Sequence, residues 1–160
     1  MSNFTGRHAM TEMVDWLQAG ADGNETCAVE VVRAYNGSGG ANVAGDVVIK
    51  QLTSAFTADR IAMTTTTSSN STAGLGMVYE AIADGAVGRV QIFGPTTVLK
   101  VDGNTDIAIG DYVGTFTTAK VGLGGATADA RMAIALEAYT TNDALGVIDA
   151  FLICRSLTPF

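Results

Sequence analysis

Cysteine, histidine and proline are all scarce in this sequence. Its 160 residues include two cysteines, one histidine and two prolines. Two cysteines are too few for the disulfide framework of a small secreted domain, and both lie in apolar, strand-like contexts, so we expect Cys27 and Cys154 to be buried free thiols. His8 has no cysteine near it in the sequence, which argues against a zinc site or a Ser-His-Asp relay built on it.

The chain is also poor in charge. Charged residues make up 16% of it and hydrophobic residues 48%, and the formal net charge is −7. The nine Lys and Arg residues are scattered, whereas a nucleic-acid backbone or an anionic membrane demands clustered cations, so we expect neither as a partner. The apolar runs fall short of the roughly 20 residues of a spanning helix. We therefore predict a soluble chain whose uncharged surface is partly covered by other proteins.

The N-terminal segment carries signals of a different kind. It lacks a basic stretch followed by an apolar one, so we expect no secretory signal and synthesis inside the cell. Residues 1–9 predict an arm, and apolar residues at helical spacing in 11–19 predict a short helix that must dock on its own barrel or on a neighbouring subunit. We divide the chain into this arm and helix, residues 1–25, and a single β domain, residues 26–160. The candidate interface residues of the arm are Phe4, Met10, Met13, Trp16 and Leu17.

One supersecondary unit occurs twice in the chain. Residues 74–94 and 131–153 each run from a small-apolar stretch through Glu-Ala and a polar spacer to a Gly before an alternating strand, and a Gly-Asp pair lies upstream of each. Such a repeat indicates that neither copy buries its apolar face alone. We predict that the two copies pack as pseudo-equivalent halves of one barrel, with Val90 and Ile92 matching Ile148 and Ala150 in the core.

The remaining segments predict further short strands. Turn compositions separate β-branched runs at 26–35, 46–52 and around 61–63, and a hydroxyl-rich loop follows. Gly94-Pro95 predicts a break before a strand at 96–101, and the Asp102-Gly103-Asn104 turn predicts a hairpin into 107–109. Strands are then expected at 112–117, 119–121 and 146–154, with a loose stretch at 122–130. Nine to eleven short strands predict an all-β fold, either a small barrel or a sandwich.

One motif has the beginning of a calcium loop. Asp102, Asn104 and Asp106 form D-x-N-x-D, but the positions that require Gly and a bidentate Glu hold Ile107 and Val113. We therefore favour a polar turn over a metal site.

The repeated acids are the other candidates for chemistry. Glu80 and Glu137 occupy equivalent places, and paired carboxylates can perform acid-base catalysis, but symmetry favours a structural role in which each binds turn amides or forms an ion pair between subunits. Asp46 and Asp111 follow glycines in predicted turns, where Gly takes a positive φ and the Asp bonds nearby backbone. Because no G-x-S-x-G or C-x-x-C motif is present, we predict no active site, no metal and no cofactor.

These motifs together resemble the capsid decoration, or cement, proteins of tailed bacteriophages. The shared order is Glu-Ala, a spacer, a Gly-x-Val-x-Val strand, then Gly-Asp-x-Val, then Ala-Leu-Glu-Ala and a closing strand. It covers about half of the chain, from Gly74 to Ile153, and the residues up to Leu17 match no pattern of this group. The matching segments here are Glu80-Ala81, residues 88–92, 110–113 and 135–138, and residues 147–153.

The resemblance implies a structural virion protein. It implies a β-rich fold that trimerises on the capsid surface, binds the major capsid protein and stabilises the expanded shell, with no catalytic residues to carry over. A homotrimer is also expected because the strands of the repeat leave edges that need covering. Two other classes stay open: a virion β-domain that binds a host surface or carbohydrate and displays aromatics on its loops, and an enzyme such as a trimeric β-barrel hydrolase acting on nucleotides.

Overall fold

The computed structural model describes residues 29–51 and 61–154, and in this part of the chain it consists of strands and loops with one 3₁₀ turn, Ala128–Ala130. The prediction of an all-β fold is confirmed. The predicted arm and helix, with the interface residues assigned to them, lie outside the described residues, as does Cys27. The strands are β1 (Glu30–Asn36), β2 (Val47–Lys50), β3 (Ile61–Thr64), β4 (Gly74–Val78), β5 (Val87–Val101), β6 (Tyr112–Thr115), β7 (Gly122–Gly124), β8 (Ala133–Ala135) and β9 (Gly146–Ile153).

The strand pairings close on themselves twice, and the long strand β5 belongs to both closures. In the first ring the order is β1-β3-β2-β4-β5, and β5 returns to β1, which makes a closed five-stranded barrel. In the second ring the order is β5-β7-β6-β8-β9, and β9 returns to β5. Every described strand therefore has a neighbour on each side, so the edge argument for a trimer is wrong for this part of the chain.

The two rings have the same connectivity. In each ring the first and third strands in chain order pair in parallel and the other pairings are antiparallel, with β5 serving as last strand of the first ring and first strand of the second. The predicted repeat is real, but its copies are not halves of one barrel. Each copy closes its own ring because the 15-residue strand β5 is long enough to pair with β1 and β4 at one end and with β9 at the other.

The register of the repeat differs from the predicted one by two residues. Val90 lies opposite Val78 of β4, and Ala150 lies opposite Ala135 of β8, so Val90 matches Ala150 rather than Ile148. The cause is a longer spacer in the second copy, so the strand that follows Glu137 begins further along the sequence than the strand that follows Glu80. A shift of two keeps every side chain on the same face, and the predicted core residues are buried as expected.

A single apolar core runs through both rings. The buried cluster contains residues from every strand except the small β7, which explains why neither copy is expected to stand alone. Its largest fully buried apolar side chains are Met63, Leu75, Met77, Leu99, Ile107, Ile148 and Leu152.

The chain does not break at Gly94-Pro95, contrary to the prediction. Gly94 takes a φ of +99°, which bends β5, and pairing with β9 continues through Pro95 opposite Phe151. The buried Gln91 holds the bend, because its Nε2 donates to the carbonyls of Gly94 at 3.1 Å and Pro95 at 2.9 Å. A side-chain amide thus satisfies the backbone where the ladder is irregular.

Two further elements after β5 differ from the predictions. The predicted hairpin is absent, because Asp102 Oδ1 accepts the Asn104 N–H at 2.9 Å in a local turn and Ile107 then forms an isolated bridge with Tyr139. In the loose stretch, residues 122–124 form β7 instead of residues 119–121. Gly122 allows this close pairing, since a Cβ there would collide with Val113 of β6.

Candidate functional site

The two Gly-Asp turns have nearly the same geometry in the two rings. Gly45 and Gly110 have φ angles of +90° and +89°, which glycine adopts without a steric penalty. Asp46 Oδ2 accepts the N–H of Val43 at 3.0 Å, and Asp111 Oδ2 accepts the N–H of Ala108 at 2.8 Å. Each Asp side chain thus bonds the backbone of its own turn, the geometry that a turn role requires.

Asp46 has a second role that Asp111 lacks. Its side chain is 1% exposed, and it pairs with Lys100 Nζ at 2.5 Å and Lys120 Nζ at 3.6 Å. Lys100 lies on the half of β5 that pairs with β9, and Lys120 lies between β6 and β7. The backbone N–H of Val47 also donates to the carbonyl of Lys120 at 2.9 Å. Among the described residues no Lys or Arg pairs with Asp111. Asp46 therefore ties the first ring to the second.

Glu80 and Glu137 each bind the strand that follows them in their own ring. Glu80 Oε2 pairs with Arg89 Nη2 at 2.6 Å, and this hydrogen bond and charge hold the pKa of Glu80 below its usual range. Glu137 Oε1 accepts the backbone N–H of Asp149 at 2.9 Å. The structural interpretation of this pair is supported, because both carboxylates are engaged in holding the strand after the spacer.

A partly exposed basic face surrounds Glu80 on the outside of the first ring. Its members come from β1, β5 and the residue after β4, and Arg33 lies opposite Arg89 while Tyr35 lies opposite Val87. The Arg89 guanidinium also lies 4.9 Å from the centre of the Tyr79 ring. We define the basic face as Arg33, Tyr35, Tyr79, Val87 and Arg89.

An acidic face occupies the equivalent position on the second ring. The N–H of Leu136 donates to the carbonyl of Asp149 at 2.9 Å, as that of Tyr79 donates to Arg89 at 3.0 Å. Leu136 and Val147 are exposed large apolar residues, as are their counterparts in the first ring. We define the acidic face as Leu136, Glu137, Val147 and Asp149. Sequence reasoning identified Glu137 in this group and placed Ile148 and Ala150 inside, but it did not single out Leu136 and Val147 as exposed apolar residues.

A polar cluster lies at a loop of each ring, buried in the first ring and partly buried in the second. In the first ring Asn36 Oδ1 accepts from Asn42 Nδ2 at 2.9 Å and from Ser38 Oγ at 2.7 Å. In the second ring the Tyr139 hydroxyl donates to Asp143 Oδ2 at 2.9 Å, and this hydrogen bond raises the pKa of Tyr139. These hydrogen bonds hold loops against the strands, so we assign these polar side chains a structural role. Sequence reasoning missed Asn36 and Asn42, which read as ordinary turn residues.

Concave sites in the described part of the chain include a larger and a smaller one. The larger, about 340 Å³, is lined by β5 around its bend, with Gln91 and Pro95, and by Met77 and Tyr79. The smaller, about 80 Å³, lies beside Cys154, whose buried thiol donates to the Met132 carbonyl and whose pKa burial raises to about 12. The predicted buried thiol is confirmed for Cys154. A thiol so rarely ionised is a poor nucleophile.

Metal ligands and membrane-spanning helices can be judged for residues 29–51 and 61–154. No group of three or more His, Cys, Asp or Glu side chains is placed there to hold a metal ion. In the same residues the structure contains no helix with the length and apolarity needed to cross a bilayer. The Asp102 carboxylate, at the start of the calcium-like motif, accepts both the N–H and the Nδ2 of Asn104.

Comparison with known proteins finds a structural similarity but no sequence match. No protein-family model matches the chain. No curated protein matches it. Among solved structures, it is similar to the head fiber gp8.5 N base of bacteriophage phi29, with a TM-score of 0.51 and 14% sequence identity over 78% of this chain and 93% of that one. At this identity the likeness shows a shared fold, and it covers nearly all of the fiber base.

Proposed function

We propose that this chain is a structural protein of a bacteriophage virion. The observation that carries the proposal is the fold shared with the phi29 head fiber base over 93% of that chain. The order of the Glu-Ala, Gly-Asp and closing-strand motifs supports it independently, since it resembles phage decoration proteins. The described acids support a structural role too, because Asp46, Glu80, Asp111 and Glu137 all bind their own backbone or neighbouring cations.

The specific role we propose is capsid decoration. The protein binds the outer face of the major capsid lattice as a homotrimer and stabilises the expanded shell, with no enzymatic activity and no cofactor. Its sparse charge and its exposed apolar side chains at repeated positions support extensive protein contacts. The trimer now rests on these surfaces, because the described strands leave no open edges.

Cosedimentation with capsids tests this role. Expanded capsids that lack the chain, prepared from the phage that encodes it, are mixed with purified protein and pelleted. We expect saturable binding at a fixed ratio to the major capsid protein, regular density on the shell by cryo-electron microscopy, and a raised temperature of capsid disruption. Absence of the protein from both the pellet and the mature virion contradicts the proposal.

A fiber base is the second candidate, favoured because the similar phi29 structure is the base of a head fiber. A cement protein covers lattice positions regularly, and no further protein density projects beyond it. A fiber base occupies its attachment points and continues into a projecting structure formed by further protein. The same cryo-electron microscopy map separates the two, because extra density beyond these barrels appears only in the second case.

The proposed capsid contact includes the N-terminal arm. Aromatic and methionine side chains are effective anchors in interfaces, and the arm contains several. Deleting residues 1–19 is expected to abolish capsid binding while the melting temperature changes little. A large loss of thermal stability would instead mean that this segment plugs its own barrel. The arm residues we propose for the contact are Phe4, Met10, Met13, Trp16 and Leu17.

A further inference from the structure

We infer that the basic face of one copy binds the acidic face of another copy of this chain. This contact deepens the proposed homotrimer, on which it rests, by assigning the surfaces that join its subunits. The argument uses three properties of the two faces: their equivalent positions in the repeat, their exposed apolar residues and their opposite charges.

The two faces occupy equivalent positions in the two copies of the repeat. Tyr79 corresponds to Leu136, because each donates its N–H to the strand across the spacer at 3.0 and 2.9 Å. The same bonds make Arg89 the counterpart of Asp149, and two residues earlier Val87 the counterpart of Val147. Both faces therefore have a similar backbone shape, and each carries exposed apolar side chains at equivalent positions of its ring.

Each face also carries exposed apolar side chains. Val87 and Val147 are 46% and 47% exposed, and Leu136 is 48% exposed. Tyrosine and arginine, which dominate the basic face, are the residues most enriched at the energetic centres of interfaces. The faces thus offer contact area as well as charge.

The charges of the two faces are opposite. Among the described residues, the basic face carries Arg33 and Arg89 beside the carboxylate of Glu80, which is paired with Arg89. The acidic face carries Glu137 and Asp149 side by side. Lys100 lies opposite Val147 on the neighbouring strand, but its ammonium group is bound to Asp46. Contact between two basic faces or two acidic faces is repulsive, so only the head-to-tail arrangement is complementary.

A head-to-tail contact has a consequence for assembly. Each copy that binds through its basic face still presents an acidic face, and the reverse holds at the other end, so an open chain of copies leaves two faces uncovered. Closure of the chain of copies into a ring covers all of these faces. The proposed trimer is such a ring with three copies.

Charge reversal tests the contact without any capsid. Arg33→Glu alters the basic face, Asp149→Arg alters the acidic face, and the double variant exchanges the two charges. Sedimentation velocity of the full chain, from low to high micromolar concentration, measures assembly. We expect each single variant to raise the subunit dissociation constant by about tenfold or more. The double variant should regain much of the lost affinity.

The matched control is Asp129→Arg, which makes the same charge change at an exposed residue beside the small cavity near the far end of β9. It is expected to assemble like the wild type, and circular dichroism checks that every variant is folded. A monomeric wild type, single variants that assemble normally, or a double variant as weak as the singles overturns the inference. Because these measurements use no capsid, wild-type cosedimentation still decides the proposed function separately.

Discussion

The pseudo-equivalent pair Asp46 and Asp111 offers a direct measure of what joins the two rings. Both acids accept an N–H from three residues before them in nearly identical turns. Asp46 alone is buried against Lys100 and Lys120. The two Asp→Asn substitutions keep the shape and the turn acceptor, so the difference between their effects isolates the charge of Asp46.

The expected size of that difference follows from the exposure of the partners. Removing one member of a fully buried ion pair costs about 3–5 kcal/mol. The Lys100 and Lys120 side chains are 21% and 36% exposed, so water screens them and the cost is smaller. We expect Asp46→Asn to lower the free energy of unfolding by about 2–3 kcal/mol, and Asp111→Asn by less than about 1 kcal/mol, the range for a weakened turn hydrogen bond.

Urea unfolding followed by circular dichroism provides the assay. With an m-value of about 2–3 kcal/mol/M, the Asp46→Asn midpoint should fall by about 1 M, while that of Asp111→Asn changes by a few tenths. A second, earlier transition in Asp46→Asn alone would show that the rings have begun to unfold separately. Equal losses for the two variants would refute the reasoning, because the ion pairs of Asp46 would then add nothing beyond the turn.

Three other changes test the core, the ion pair and the thiol. Ile92→Ala, at a residue 4% exposed, should cost about 2–5 kcal/mol in unfolding free energy, whereas Val147→Ala, at an exposed site, should cost less than about 0.5 kcal/mol; equal costs would mean the faces are misassigned. Because the folded pKa of Glu80 is lowered, its pairing stabilises the protein above about pH 4.5 and is lost as the pH falls through the folded pKa, so Glu80→Gln should flatten this acid-side slope in urea titrations. In a Cys27→Ser background, labelling of Cys154 by a thiol reagent near pH 8 should follow the unfolding rate, and rapid labelling of the folded protein would contradict its burial.

Local patterns were enough to predict the repeat and most of the strands, but not the number of rings. The Gly-Asp turns and alternating strands are features of a few neighbouring residues, and they appear in the structure where the sequence places them. Ring closure depends on pairings between distant strands, such as β1 with β5, which no local pattern encodes. The role of β5 was hidden by Gly94-Pro95, which reads as a break until the amide of Gln91 is seen to hold the bend.

The candidate surfaces show the same division between local and long-range information. Glu80 and Glu137 could be found because both copies keep them. Arg33 could not, because its importance comes from lying opposite Arg89 across two strands that are far apart in sequence. The lysines of Asp46 were missed for the same reason, since both are far from Asp46 in the sequence.

The divergence between the copies argues that the repeat serves assembly as well as folding. Positions that build a ring have stayed alike: the positive-φ glycines, the turn aspartates and the two glutamates that hold the following strand. Positions that face outward have changed in charge but kept apolar neighbours, with Arg89 in one copy and Asp149 in the other. The exposed valines beside both faces supply apolar area for such a contact to bury. Opposite charges on otherwise similar faces are what a chain needs to bind its own copies head to tail and to disfavour like-to-like contacts.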